Sequence, residues 1–424
     1  MNGLRIGVVG AGVVGASCAL ALAREGHEVT VFDPHRPGGP HAASHGNGGW
    51  ISPASILPMS SPGLWKKIPG YLLDRQGPLA LRASSLPWLM PWLWRFVRAG
   101  STWDKVRATA RSLHRLLHDA PDRHREFAQW AHAGHLLHHT GLLYVYPHRG
   151  AFEADAMAWQ LRRELGVSWV ELEGDTLQAR APALPRAGQL GLWVPEGAWC
   201  SDPGDYVRLL LQAAQRLGAE HRQARVQGLQ LQQGRCTGVL TDPGPCGFDR
   251  VLITAGIDSP QLARLAGDVL PLASERGYHV VLPHAALDLP IPIMPSDGRM
   301  ANTMTTQGLR LAGQVELARP GADPDWARAG VLLAHARRTY PALNPDARRQ
   351  DLSRWMGHRP STPDGLPVIG PSPACEGLWY ACGHGHVGLA AAARTALWVT
   401  QGISVSSSGT LPGEWPEFGI GRFA

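Results

Sequence analysis

A β-branched run, Ile6, Val8 and Val9, breaks into Gly10-Ala11-Gly12-Val13-Val14-Gly15, and a helix of small residues follows as far as Gly26. No other stretch restricts the fold of the chain as severely. The three glycines have separate tasks. Gly10 allows a tight strand-to-helix turn, Gly12 lets a pyrophosphate approach the backbone, and Gly15 lets the helix lie close on the sheet. The helix then directs its electropositive N-terminal end, at Ala11, Val13 and Val14, toward the phosphates. A second strand, Glu28 to Phe32, ends on Asp33 and Pro34, where a carboxylate can accept from a ribose hydroxyl. Strand, glycines, helix, strand and acid in this order predict a βαβ unit that binds a dinucleotide. The unit alone leaves NAD and FAD both open.

The 424 residues are enough for two domains with substantial cores. The net charge is +6, but no Lys/Arg block reaches the length of a nucleic-acid-binding tail. The excess suits small anions or an acidic membrane surface, and no nucleic-acid partner is expected. Six cysteines are scattered without a CxxC pair, which argues against a zinc ribbon and a disulfide framework and fits a reducing compartment. No apolar run is long enough to span a bilayer, and the chain goes almost at once into a strand. The expectation is therefore no cleavable signal and a cytoplasmic location.

Beyond Pro34 lies a loop rich in glycine, histidine and small residues, whose backbone N–H groups at Ser44, Gly46, Asn47, Gly48 and Gly49 could line a cofactor. A tryptophan-rich stretch follows, with Trp65, Trp88, Trp92, Trp94 and Trp103. Pro87 and Pro91 predict short helical pieces, and Trp88, Trp92 and Phe96 share an i, i+4 face. Packing into a helical core is the favoured reading. The neighbouring Lys66, Lys67, Arg95 and Arg98 also suit attachment at the inner face of the cytoplasmic membrane. His132, His135, His138 and His139 have no acid or cysteine at ligand spacing, so no metal site is expected there. Residues 151–165 predict one helix, and Asp202-Pro203 opens another that stops at Gly218. A buried strand from Arg250 ends in Thr254-Ala255-Gly256, a second close approach of backbone to a dinucleotide. Residues 276–317 alternate as a sheet. Near the end, the turn Gly383-His384-Gly385-His386-Val387-Gly388 precedes an alanine-rich helix, a second site for negative charge. The polar tail from Gly402 is expected to lie over the surface.

The N-terminal unit, SHGNGGWISP, Thr254-Ala255-Gly256, RGYH, GHRPSTPDGLPVIG and GHGHVGL occur in this order. Together they resemble the FAD-dependent amine and amino-acid oxidoreductases of the D-amino-acid oxidase fold. The likeness is greatest to bacterial D-amino-acid dehydrogenases of the small-subunit type and to glyphosate oxidoreductases, and it covers essentially the whole chain. It implies an α/β fold in which a Rossmann-like FAD domain is assembled from residues 1–75, 198–270 and 350–424. The remaining segments, 76–197 and 271–349, would form an α+β, mixed-sheet substrate domain.

The resemblance selects FAD over NAD, and with no cysteine motif for attachment the FAD is expected to be noncovalent. It implies that Gly10 to Gly15 hold the pyrophosphate and Asp33 the ribose. Ala43, Ser44, Asn47, Gly48, Gly49, Ile51, Ala255 and Gly256 would line the FAD, with Val226 beside the adenine. Gly383 to Leu389, with His384 and His386 among them, would sit at the pyrimidine end of the flavin. Arg359 would anchor a substrate carboxylate. His386 stands where glycine oxidases carry a second arginine, and Tyr278 and His279 are further pocket candidates. The implied reaction passes hydride from the α-carbon of a D-amino acid to the flavin, and the imine hydrolyses to an oxo acid. Alternatives are oxidation of an N-substituted glycine or cyclic imino acid (sarcosine, glyphosate, D-proline or hydroxyproline), or a non-catalytic FAD-bearing subunit. The electron acceptor would be a respiratory quinone or O2.

Overall fold

Arg5–Val9 is buried from Ile6 onward, as a continuous apolar run requires of a central strand. In the computed structural model, which describes residues 3–64, 70, 77, 79–186, 188–343, 352–405 and 415–424, it pairs in parallel with Glu28–Asp33 and with Arg250–Ile253. The six-stranded sheet runs Glu220–Gln223, Glu28–Asp33, Arg5–Val9, Arg250–Ile253, Leu378–Cys382, Val368–Pro371, and only the last strand is antiparallel. Three distant parts of the chain therefore meet in one sheet. The helix Val13–Arg24 is buried along nearly its whole length. It shares a core with the helices Pro203–Arg216 and Gly388–Val405, and its alanines permit the close approach.

The second sheet is mixed. Its strands are ordered Ser353–Ser361, Ala273–Leu282, Gly308–Leu317, Ala301–Thr305, Ile293–Pro295, Leu142–Tyr146, Leu190–Val194, Val170–Leu172, with Leu79–Leu81 alongside Gly308–Leu317. The helix Ala327–Thr339 packs on one face of it. Ser353–Ser361 departs from the grouping expected of residues 350–424. A continuous ladder from Ala273↔Ser361 to Val281↔Ser353 makes it an edge strand of the mixed sheet. The last segment of the parallel sheet begins only at Val368. The expected boundaries near residues 75 and 349, and Trp65, Lys66 and Lys67, lie outside the described residues.

Leu86–Ala99 is one helix that continues through Pro91, not two short pieces. Leu89 and Trp92 are buried, Trp92 stacks on Phe96 at 4.9 Å, and the Trp92 indole N–H donates to the Ser361 carbonyl at 3.0 Å. Trp88, Met90 and Trp94 are instead exposed. The aromatic stripe is thus divided between core and surface. Residues 151–165 break at Asp155 into Arg149–Ala154 and Ala156–Glu164. The end of the chain also differs from expectation, because it returns to the core. Trp415, Phe418, Ile420 and Phe423 are buried, Trp415 stacks on Trp398 at 4.5 Å, and Arg422 binds Asp364 and the Leu366 carbonyl. Among the described residues no helix is long and apolar enough to cross a membrane.

Candidate active site

The glycine turn is built by contact. Gly10 adopts φ +109° and donates to the Phe32 carbonyl at 2.8 Å, while a β-carbon at Gly15 would overlap the Gly10 carbonyl. The helix therefore sits directly on the turn. Its N-cap, Gly12, offers no side-chain acceptor, and Ser44 Oγ accepts from Val13 N–H at 2.9 Å, the one such bond to it among the described residues. The other orphan donors of the first turn stand at the wall of a cleft. At Gly12 a β-carbon would meet nothing nearer than Ser44 Oγ at 3.6 Å, so the absent side chain leaves room for a ligand. Asp33 accepts from the amides of Ala11 (2.8 Å) and His35 (2.9 Å), which fixes the carboxylate and leaves lone pairs over.

The glycine-rich loop has almost no ladder of its own and is tied down from the mixed sheet. The buried Arg310 guanidinium donates to the carbonyls of His45 (3.1 Å) and Asn47 (2.9 Å). Thr303 Oγ1 donates to Gly48 O at 2.7 Å, and the Trp355 indole N–H to Pro40 O at 2.7 Å. His279, expected in the pocket, is another of these ties. Its Nδ1–H donates to Gly46 O at 3.2 Å, its ring stacks on Trp355, and burial together with the Arg310 charge pushes its pKa down to about 3. Gly49 and Ile51 likewise back the wall without facing the cleft. Gly49 O accepts from Cys200 N, and Ile51 is fully buried.

At the far end, the turn after Leu378–Cys382 delivers the helix Gly388–Val405 with its N-terminus toward the same cleft. His384 Nε2 bonds Thr395 Oγ1 at 3.0 Å, and burial pushes its pKa down to about 3. His386 reaches into the cleft. Its protein surroundings, and after them the Arg359 charge, hold its pKa below the usual imidazole range, so it is neutral at pH 7. Behind the turn, the fully buried His124 donates from Nε2 to Leu389 O (2.8 Å) and accepts at Nδ1 from the Tyr206 hydroxyl (3.0 Å). Burial lowers its pKa to about 4.

Arg359 leaves the edge strand and lays its guanidinium over Gly277, where a β-carbon would overlap it. Its Nη1 donates to Gln314 O at 2.8 Å. A bulge provides that carbonyl: Arg276 pairs with Glu316 and Tyr278 with Gly313, so Gln314 and Val315 oppose Gly277 alone, and Gln314 takes φ +62°. Tyr278 borders the cleft, but its hydroxyl is committed elsewhere. It donates to Glu316 Oε2 at 2.5 Å and accepts from Asp325 N at 2.9 Å. Glu275, which the sequence reading passed over, lies directly across the ladder from Arg359, buried in the cleft wall. Its only sequence signal is its place two residues before Gly277, on the same face of the strand.

One cleft of about 1200 Å³ joins these parts. Gly10 to Val14, Asp33, Pro34, Ala43, Ser44, Asn47, Gly48, Val226, Ala255, Gly256, Arg359 and Gly383 to Leu389 all line it. A cleft with two helix N-termini at its wall suits a long anionic cofactor. Residues 5–402 match the family described as DAO, FAD dependent oxidoreductase. The chain belongs to the DAO family. It is an FAD-dependent oxidoreductase, as the resemblance implied. The D-amino-acid oxidase of Bradyrhizobium diazoefficiens is 42% identical over 423 residues, covering 100% of this chain and 98% of that one. The D-amino acid dehydrogenase 2 of Ralstonia nicotianae is 32% identical, covering 93% and 95%. The crystal structure of a glycine oxidase from Geobacillus kaustophilus, 20% identical, aligns with a TM-score of 0.70 over 98% of both chains and shows the shared DAO fold.

Proposed function

We propose that this DAO-family enzyme oxidises the α-carbon–nitrogen bond of a D-amino acid, with Arg359 as the anchor of the substrate carboxylate. The observation that carries this reading is the Arg359 guanidinium. It is held over a glycine by a backbone carbonyl, borders the cleft, and has no carboxylate within 4 Å among the described residues. A planar fork held this way can take a carboxylate bidentately and so fix which face of the α-carbon is presented. The names of the two sequence relatives point to the same substrate class.

The residues fit FAD. The uncapped first turn after Gly12 would receive the diphosphate and Asp33 the adenosine ribose, with Val226 beside the adenine. The loop from Ala43 to Gly48 and the turn from Gly383 to Leu389 would enclose the flavin. Bound FAD supplies the two-electron acceptor for hydride from the α-carbon. Arg359 orients the substrate, the neutral His386 closes the turn without adding charge, and the helix end at Gly388 favours negative charge beside it. We assign the parallel sheet and its helices to FAD binding and the mixed sheet, with Ser353–Ser361, to substrate binding.

An anaerobic panel tests the reading. Purified holoenzyme is mixed with D-amino acids, their L-enantiomers, sarcosine, glyphosate and D-proline, and flavin bleaching is followed by absorbance. Selective bleaching by D-amino acids is the expected result. Bleaching only by N-substituted glycines or cyclic imino acids would move the substrate assignment, and no bleaching by any amine would replace catalysis with a cofactor-bearing role. Peroxide yield per turnover in air then separates O2 from a quinone as acceptor.

A further inference from the structure

Glu275 is a carboxylate in the cleft wall that substrate anchoring leaves unused. It is only 4% exposed and pairs in register with Arg359 on one side and Leu317 on the other. Side chains at 275 and 277 share a face of the strand, and the Arg359 guanidinium lies over Gly277, so acid and guanidinium sit side by side on the cleft face. They are nevertheless not joined as an ion pair within 4 Å, because Arg359 is turned toward the Gln314 carbonyl. Beyond Glu275 the row across the sheet continues through Leu317 and Leu81, which are apolar. The groups that act on its carboxyl are the Ser361 hydroxyl and Arg359. Ser361 also bridges to His384, beside the neutral His386. Glu316, another acid on the sheet, is spent on Arg82, Arg276 and Tyr278.

A buried carboxylate is costly unless something answers its charge. Burial pushes the Glu275 pKa up, while Ser361 and Arg359 pull it back only in part. An α-amino acid carries a carboxylate and an ammonium on one carbon, which matches a wall offering a guanidinium and a carboxylate side by side. We propose that Glu275 is the receptor for the substrate amino group and the acceptor of its proton. This rests on the D-amino-acid reading above. In the step, one ammonium N–H bond breaks and one carboxyl O–H bond forms, and no electrons change hands. The amine left behind has the free lone pair that loss of hydride from the α-carbon requires. The proton returns to water through the cleft when product leaves.

The test uses native holoenzyme, Glu275→Gln and Glu275→Asp. Benzoate, a carboxylate without an amine, is titrated against the flavin absorbance, and anaerobic flavin reduction by the best D-amino acid is timed from pH 6 to 10. Glu275→Gln is expected to retain FAD and to bind benzoate as the native enzyme does. Its flavin reduction should slow on the order of 10²-fold at pH 7. Its rate should also climb with pH toward the pKa of the free amine, because only amine already neutral in solution reacts, and Glu275→Asp should recover part of the loss. A Glu275→Gln enzyme with native rate and pH profile overturns the proposal, as does parallel loss of benzoate binding, which would mean that Glu275 acts by positioning Arg359. If native enzyme is reduced by no amino acid, the underlying function fails first and this role falls with it.

Discussion

Arg359 takes its direction from residues that withhold side chains or bend their backbones. Gly277 leaves the space in which the guanidinium lies, and the left-handed backbone at Gln314 turns a carbonyl toward it. Gly277→Ala would add a β-carbon against the movable end of a side chain, so the strand should still form. The displaced guanidinium is expected to raise KM for the amino acid roughly 10²-fold, a cost typical of small misplacements, with FAD content unchanged. Arg359→Ala removes charged hydrogen bonds of about 1.5–3 kcal/mol each. It should lower kcat/KM by about 10²- to 10⁴-fold while the bound-flavin spectrum persists, and normal turnover would refute the anchor. Arg359 was legible in the sequence because it belongs to a motif. Glu275 was not, because strand alternation says which residues share a face but not which face meets the cleft.

The loop from Ser44 to Gly49 owes its shape to other elements. Arg310 is its main tie, reaching two of its carbonyls from the mixed sheet. Arg310→Met keeps the length of the stem but leaves both carbonyls without that donor, each a loss of about 1–3 kcal/mol where buried. The variant is expected to melt at lower temperature and to release FAD faster on dilution, with added FAD restoring part of the melting temperature. From sequence, its glycines and its position after Asp33 made this loop a candidate lining for a cofactor. It could not foresee the ties, which come from residues more than two hundred positions away. The tryptophan-rich helix runs unbroken through Pro91, against the short pieces expected, for a related reason. A proline inside a helix costs about 3 kcal/mol. Burial of Leu89 and Trp92, at about 1.5–3 kcal/mol for a large apolar side chain, offsets that cost, and only tertiary structure reveals the burial.

Across the whole molecule, three neutral buried histidines tie loops and helices together: His279 under the loop, His384 in the C-terminal turn and His124 among three helices. Their pKa values lie at about 3, 3 and 4, against about 6.5 in an unfolded chain. Between these values the unfolded chain binds the protons and the native protein does not, so their contribution is full above pH 6.5 and is lost as pH falls toward 4. Each histidine contributes a slope of about 1.4 kcal/mol per pH unit, together about 4. Melting temperature is expected to fall steeply from pH 6.5 to 4, and His124→Gln should flatten the fall by about one proton as read from denaturant titrations. The first βαβ unit was the most legible part of the chain, because each of its residues has a local reason. The buried tail from Trp415 was the least, because its few apolar residues gain their meaning only against Trp398 and Asp364.

The interleaving of distant segments in one sheet also bears on how the protein is made. The helix Val13–Arg24 leaves the ribosome well before the helix that covers it, Gly388–Val405, which follows about 360 residues later. At about 5–20 residues per second, roughly 20–70 s pass in which an alanine- and leucine-rich surface waits without its cover. The nascent chain is therefore expected to recruit chaperones early and release them late, a dependence that ribosome-bound truncations of increasing length would expose as protease resistance gained only near the last turn.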